Sequence, residues 1–135
     1  MPQPTAPGPK IRALTSLVLT SVVATACGGN GADASPGDAA YGPTVSALCQ
    51  ALSAEDRGTA AVAFWSGAHA SLHDLASEVV QVDRAEANDL LLAKNAVESL
   101  LREQAPTDEV REGIDRLLAS TQDAVRALER TPATC

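Results

Sequence analysis

From Thr44 to Leu128 the apolar residues recur at intervals of three and four. That spacing lines them along one stripe of an α-helix and argues against strands, whose faces alternate with a period of two. A first, short segment carries Val45, Leu48, Cys49 and Leu52. Ser53, followed three residues later by Asp56, reads as the start of a second helix. Its seam is Ala61, Phe64, Ala68, Leu72, Leu75, Val79 and Val82, ending near Gln81. Asp83 and Glu86 form a capping box for a third helix with Ala87, Leu90, Leu91, Val97, Leu100 and Leu101 on its stripe. Pro106 ends that helix, because proline disfavours helical geometry in the residue before it. Thr107 is the expected cap of a fourth helix that buries Val110, Ile114, Leu117, Thr121, Val125 and Leu128, with Thr131-Pro132 as its stop. Loops this short place consecutive helices antiparallel. The expected fold is therefore all-α: an up-down helical bundle over residues 44–135, three long helices with a short one in front.

Composition tells how such a bundle is built. Aromatic residues make up 2% of the 135-residue chain, one Trp, one Tyr and one Phe, so the core rests on Leu, Val and Ala. Small side chains let helices approach closely but bury little area each, at roughly 25 cal/mol per Å². Such a domain gains much from a covalent staple. The formal charge of -7 argues against nucleic acid as a partner, since phosphate binding needs clustered Lys and Arg.

The N-terminal third follows different rules. Lys10 and Arg12 are the only charged residues before Asp33, and they precede the uncharged stretch Ala13 to Ala26, rich in Leu, Val, Ala, Ser and Thr. It is too short to cross a hydrocarbon core of about 30 Å as a helix. A basic start, a short apolar run and small residues at its end match an export signal. The four residues that close it, Ala24-Thr25-Ala26-Cys27, resemble the lipobox of bacterial lipoproteins, with Ala24 where that family most often has Leu. The resemblance implies that residues 1–26 are a cleaved signal peptide and that Cys27 becomes the lipid-bearing first residue. Two or more acyl chains anchor stably where one is marginal, each buried CH₂ contributing about 0.8 kcal/mol. Residues 27–43, rich in Gly, Ala, Ser, Asp and Pro, read as a flexible tether. The implied location is the extracytoplasmic face of a cell membrane.

Two further cysteines, Cys49 and Cys135, remain after Cys27. Outside the cytoplasm an even remainder points to a disulfide. It would tie the first helix to the C-terminal tail, and it requires a break between the first and second helices so that the Cα atoms come within about 7 Å.

The sequence offers few groups for chemistry. His69 and His73, the only histidines, lie four apart and share one helical face, with Asp74 and Glu78 close by. That spacing suits zinc or copper, although two imidazoles fall short of a full ligand set. Boundary histidines bonded to neighbouring helices are the alternative. Phe64 is expected in the core and Trp65 at its rim or at a partner contact, while Lys94 is expected to reach solvent or to pair with Glu98. The chain carries no HExxH, no GxSxG and no phosphate-binding glycine loop. These features favour a lipid-anchored, non-catalytic interaction or structural module with a protein partner in the envelope. The alternatives are a zinc- or copper-binding lipoprotein using His69 and His73, and a small-ligand carrier.

Overall fold

The computed structural model describes residues 36–135, with side chains from Tyr41 onward. The stretch read as a signal peptide, Cys27 and the first part of the stretch read as tether lie outside the described residues. Four helices make up the described region, and none of them is long and apolar enough to cross a membrane. Helix α1 spans Pro36–Ser53. Helix α2 runs in three consecutive pieces, Arg57–Ala63, a π-helical turn at Phe64–Ala68, and His69–Val79. Helix α3 spans Arg84–Arg102 and α4 spans Thr107–Ala127.

Two expectations change here. The first helix is not short: at 18 residues it nearly matches the 19 of α3, and it begins at Pro36 inside the stretch read as tether. Proline is well suited to a helix start, where its missing N–H leaves no bond unmade. Pro43 then lies inside the helix, where it removes one backbone bond and crowds the turn before it. The caps also move. Asp56, not Ser53, caps α2, accepting a hydrogen bond of 2.9 Å from the Thr59 N–H. Asp83 caps α3 as expected, at 3.0 Å from the Glu86 N–H, while its own N–H is taken by the Val79 carbonyl. Thr107 is the first residue of α4 and not its cap; Pro106 holds the cap position without a side-chain bond.

Helices α3 and α4 each end in a left-handed residue, Gln104 at φ 58° and Glu129 at φ 57°. The following N–H groups reach back to the Leu100 and Val125 carbonyls, closing Schellman turns with neither glycine nor asparagine. Arginines from other helices bind exposed carbonyls nearby. Arg57 donates to the Gln104 carbonyl at 2.7 Å, and Arg111 donates to the carbonyls of Leu52 and Ala54 at the end of α1.

Helix α1 packs on α2 and α4, and α3 packs on the same two helices. The core between them is mainly aliphatic: Val45, Leu48, Leu72, Leu75, Val79, Leu90, Val97, Val110, Ile114 and Leu117 are fully buried with the Phe64 ring, and Tyr41 is buried at the edge of the same cluster. Along α2 the expected seam is buried at Phe64, Ala68, Leu72, Leu75 and Val79, but at its start Ala60 takes the place of Ala61, so that Ala60, Phe64, Ala68 and Leu72 stand four apart. Steps of four drift by about 40° each around an α-helix of 3.6 residues per turn. The π turn widens the helix at Phe64–Ala68 and absorbs part of that drift. Within it Gly67 faces α1 so closely that an added Cβ would lie 2.5 Å from the Ala47 Cβ. Val82, expected on the seam, is 64% exposed because α2 has already ended at Val79.

Cys49 and Cys135 are joined in a disulfide, with Cα atoms 5.6 Å apart. The chain breaks between Ser53 and Arg57, α1 packs against α2, and the bridge holds the tail after α4 to α1. Gln122 steadies that tail with a 3.1 Å bond to the Ala133 carbonyl.

Candidate functional site

The groups with the most chemistry meet between α2 and α3. The π turn passes directly into His69, whose backbone N–H donates to the Phe64 carbonyl five residues back. From there the His69 ring reaches across to α3, where its Nε2 donates to Glu98 Oε1 at 3.0 Å. Lys94 and Arg102, each one helical turn from Glu98 along α3, grip the same carboxylate: Lys94 on Oε1 and Arg102 on Oε2. Lys94 is not at the surface. It is 2% exposed and paired with Glu98, so the pairing expected from its sequence spacing holds while solvent exposure does not. An ammonium buried this deeply costs several kcal/mol unless paired and hydrogen-bonded, and Glu98 supplies the counter-charge. Burial alone would raise the Glu98 carboxyl, but the bond and charge of Lys94, then His69 and Arg102, hold it below the usual carboxylate range.

His73 stacks edge-on against His69 with ring centroids 5.2 Å apart, and is exposed. On the other side of His69 the Trp65 ring lies 4.7 Å away, and Phe64 packs edge-on against both rings. Trp65 is 40% exposed, so it belongs to the rim, whereas Phe64 is fully buried. The result is a row of rings, Trp65, His69 and His73, along the surface of α2 with a charged cluster beneath its centre.

The structure thus brings both histidines together and adds Glu98, which sequence reasoning linked to Lys94 and not to the histidines. The donor atoms of His69, His73 and Glu98 all lie within 4.8 Å of one another. Glu78, noted in the sequence as a nearby acid, is engaged elsewhere. It accepts from the Tyr41 hydroxyl at 2.8 Å and from Arg130 Nη2 at 2.5 Å. Asp74 is exposed on α2. Beside this cluster, Thr44 donates to Ser71 at 2.7 Å, and Ser71 donates to the Ala68 carbonyl where the π turn ends.

No protein-family model, curated protein or solved structure matches this chain.

Proposed function

We propose that the chain is an exported lipoprotein: a helical module of the cell envelope, anchored to the membrane through acylated Cys27 and acting by protein contact without catalysis of its own. In this reading residues 1–26 are removed as a signal peptide and the helices that follow the tether run alternately up and down. The Cys49–Cys135 disulfide is the observation that carries it. A bridge between two thiols far apart in sequence persists in an oxidising compartment and is rare where glutathione and thioredoxin keep thiols reduced. The lipobox-like Ala24-Thr25-Ala26-Cys27 supplies the route there. Connections of three or four residues between helices support the alternating topology. The exposed apolar side chains Val62, Trp65 and Leu92 offer contacts to a partner.

The test is metabolic labelling with radiolabelled palmitate in the native host. Label should appear in the membrane fraction, on a protein lacking the mass of residues 1–26, and should vanish in Cys27→Ser. An unlabelled chain of full precursor mass in the cytosol would overturn the proposal.

A further inference from the structure

The geometry points to a metal site that does not depend on membrane attachment: His69, His73 and Glu98 bind one divalent transition-metal ion of the zinc and copper(II) class. Two imidazoles and a carboxylate are a ligand set that zinc accepts, with solvent completing the shell, and imidazole suits copper equally. The placement is pre-assembled across two helices. His69 and His73 stand one turn apart on α2, and Glu98 projects from α3 to within hydrogen-bonding distance of His69.

The distances come close to what an ion needs. Donors around a tetrahedral ion with bonds of about 2.0–2.1 Å sit about 3.3 Å apart. The three groups lie within 4.8 Å of one another, so closure asks for a shift of about 1.5 Å at most. His73 is exposed and free to make that shift, whereas Glu98 is held in place. Arg102 fixes Oε2, which leaves Oε1, the oxygen that faces His69, to ligate the ion. Hydrogen-bonded carboxylates of this kind orient the first shell of many metal centres.

One neighbour opposes loading. The Lys94 ammonium shares Oε1 with His69, so an incoming cation competes with a buried positive charge for the same oxygen. His69 must also present an Nε2 lone pair, which requires the proton to reside on Nδ1 in the loaded form. Lys94 therefore limits affinity. That gives the proposal a signature that a purely structural His-Glu-Lys cluster would not show.

The experiment titrates the oxidised full chain with zinc or copper(II) salt alone, by calorimetry and by Trp fluorescence. Trp65 is the single tryptophan and its ring lies 4.7 Å from His69, so copper(II) bound there quenches it. We expect one ion per chain with micromolar affinity. His73→Ala should weaken binding at least tenfold, and so should Glu98→Gln. If Glu98→Gln loses helical circular dichroism, Glu98→Asp takes its place, keeping a charge for Lys94 but withdrawing the ligand by one methylene. Lys94→Met should tighten binding about tenfold. No binding up to millimolar metal, full affinity in His73→Ala, or unchanged or weaker affinity in Lys94→Met would each overturn the assignment.

Discussion

Tyr41 and Glu78, 37 positions apart in the chain, are joined by a hydrogen bond of 2.8 Å from phenol to carboxylate. Arg130, beyond the end of α4, grips the same carboxylate from another direction. Three segments of the chain therefore converge on one acid: the start of α1, the end of α2 and the tail.

This arrangement ties part of the fold's stability to the protonated phenol. Burial first, then the bond and charge of Glu78, push the Tyr41 phenol up to about 12 from an ordinary 10.0. A raised folded-state value contributes stability that is complete below pH 10 and lost as pH climbs through 12. Tyr41 is the only tyrosine, so tyrosinate absorbance follows it without overlap. We expect a midpoint near 12 in the folded protein, falling toward 10 in denaturant. A folded-state midpoint at 10 would break the argument.

The contribution of Glu78 has the opposite sign. Arg130, and then Tyr41, hold the Glu78 carboxyl below its ordinary 4.5. The resulting stability is present above pH 4.5 and disappears as pH falls through the lower folded value. Glu86, raised by burial and by Asp123, Asp89 and Asp83, works in the reverse direction and partly offsets it. Denaturant melts of Glu78→Gln should show a shallower loss of stability in acid than the parent. An identical slope would remove Glu78 from the account.

At the Glu98 cluster the two partners are unequal. Removing Glu98 strands the Lys94 ammonium, which is 2% exposed, and a buried charge left unpaired costs about 3–5 kcal/mol. Removing Lys94 leaves Glu98 with Arg102 and His69. Glu98→Ala should therefore lower the unfolding free energy far more than Lys94→Met. Equal losses in chemical denaturation would refute the asymmetry.

Gly67 controls how closely α1 approaches α2. An added Cβ would sit 2.5 Å from the Ala47 Cβ, so Gly67→Ala should destabilise by about 1–3 kcal/mol. Ala47→Gly removes the opposing atom. The double variant should therefore recover part of the loss, and strict additivity of the two changes would show that the close approach is not the cause.

The Schellman turn after α3 runs the other way. Gln104 holds φ 58° with a side chain that disfavours it, and its role toward Arg57 is played by its backbone carbonyl. Gln104→Gly keeps that carbonyl and relieves the backbone. It should raise stability by about 0.5–1 kcal/mol, read as a higher denaturation midpoint.

What the sequence made legible depends on whether a neighbour in the chain or a neighbour in space decides. The stripes of α3 and α4 were readable because their periods are regular, and Leu90, Val97, Ile114, Leu117 and Val125 are buried as expected. The disulfide followed from counting thiols. The seam of α2 held from Phe64 to Val79 and slipped by one residue only at its start, from Ala61 to Ala60, just ahead of a π turn that the pattern of apolar residues does not reveal. Of the two expectations for Lys94, reaching solvent or pairing with Glu98, the spacing of four carried the second, while its burial was not legible. That His69 would meet the same carboxylate depends on the register between α2 and α3, which no local pattern encodes. The early start of α1 was hidden by Pro43 and by the Gly, Ala, Ser, Asp and Pro composition before it, which read as a tether, although Pro43 lies inside the helix.

The covalent link between Cys49 and Cys135 also decides how the domain bears load. Tension applied between the amino-terminal end of α1 and Cys135 runs along α1 to Cys49 and crosses directly through sulfur. The backbone of residues 50–134, with the whole of α2, α3 and α4, lies outside that shorter covalent path. Load reaches the other helices through side-chain contacts of α1, such as Tyr41 on Glu78 and Thr44 on Ser71.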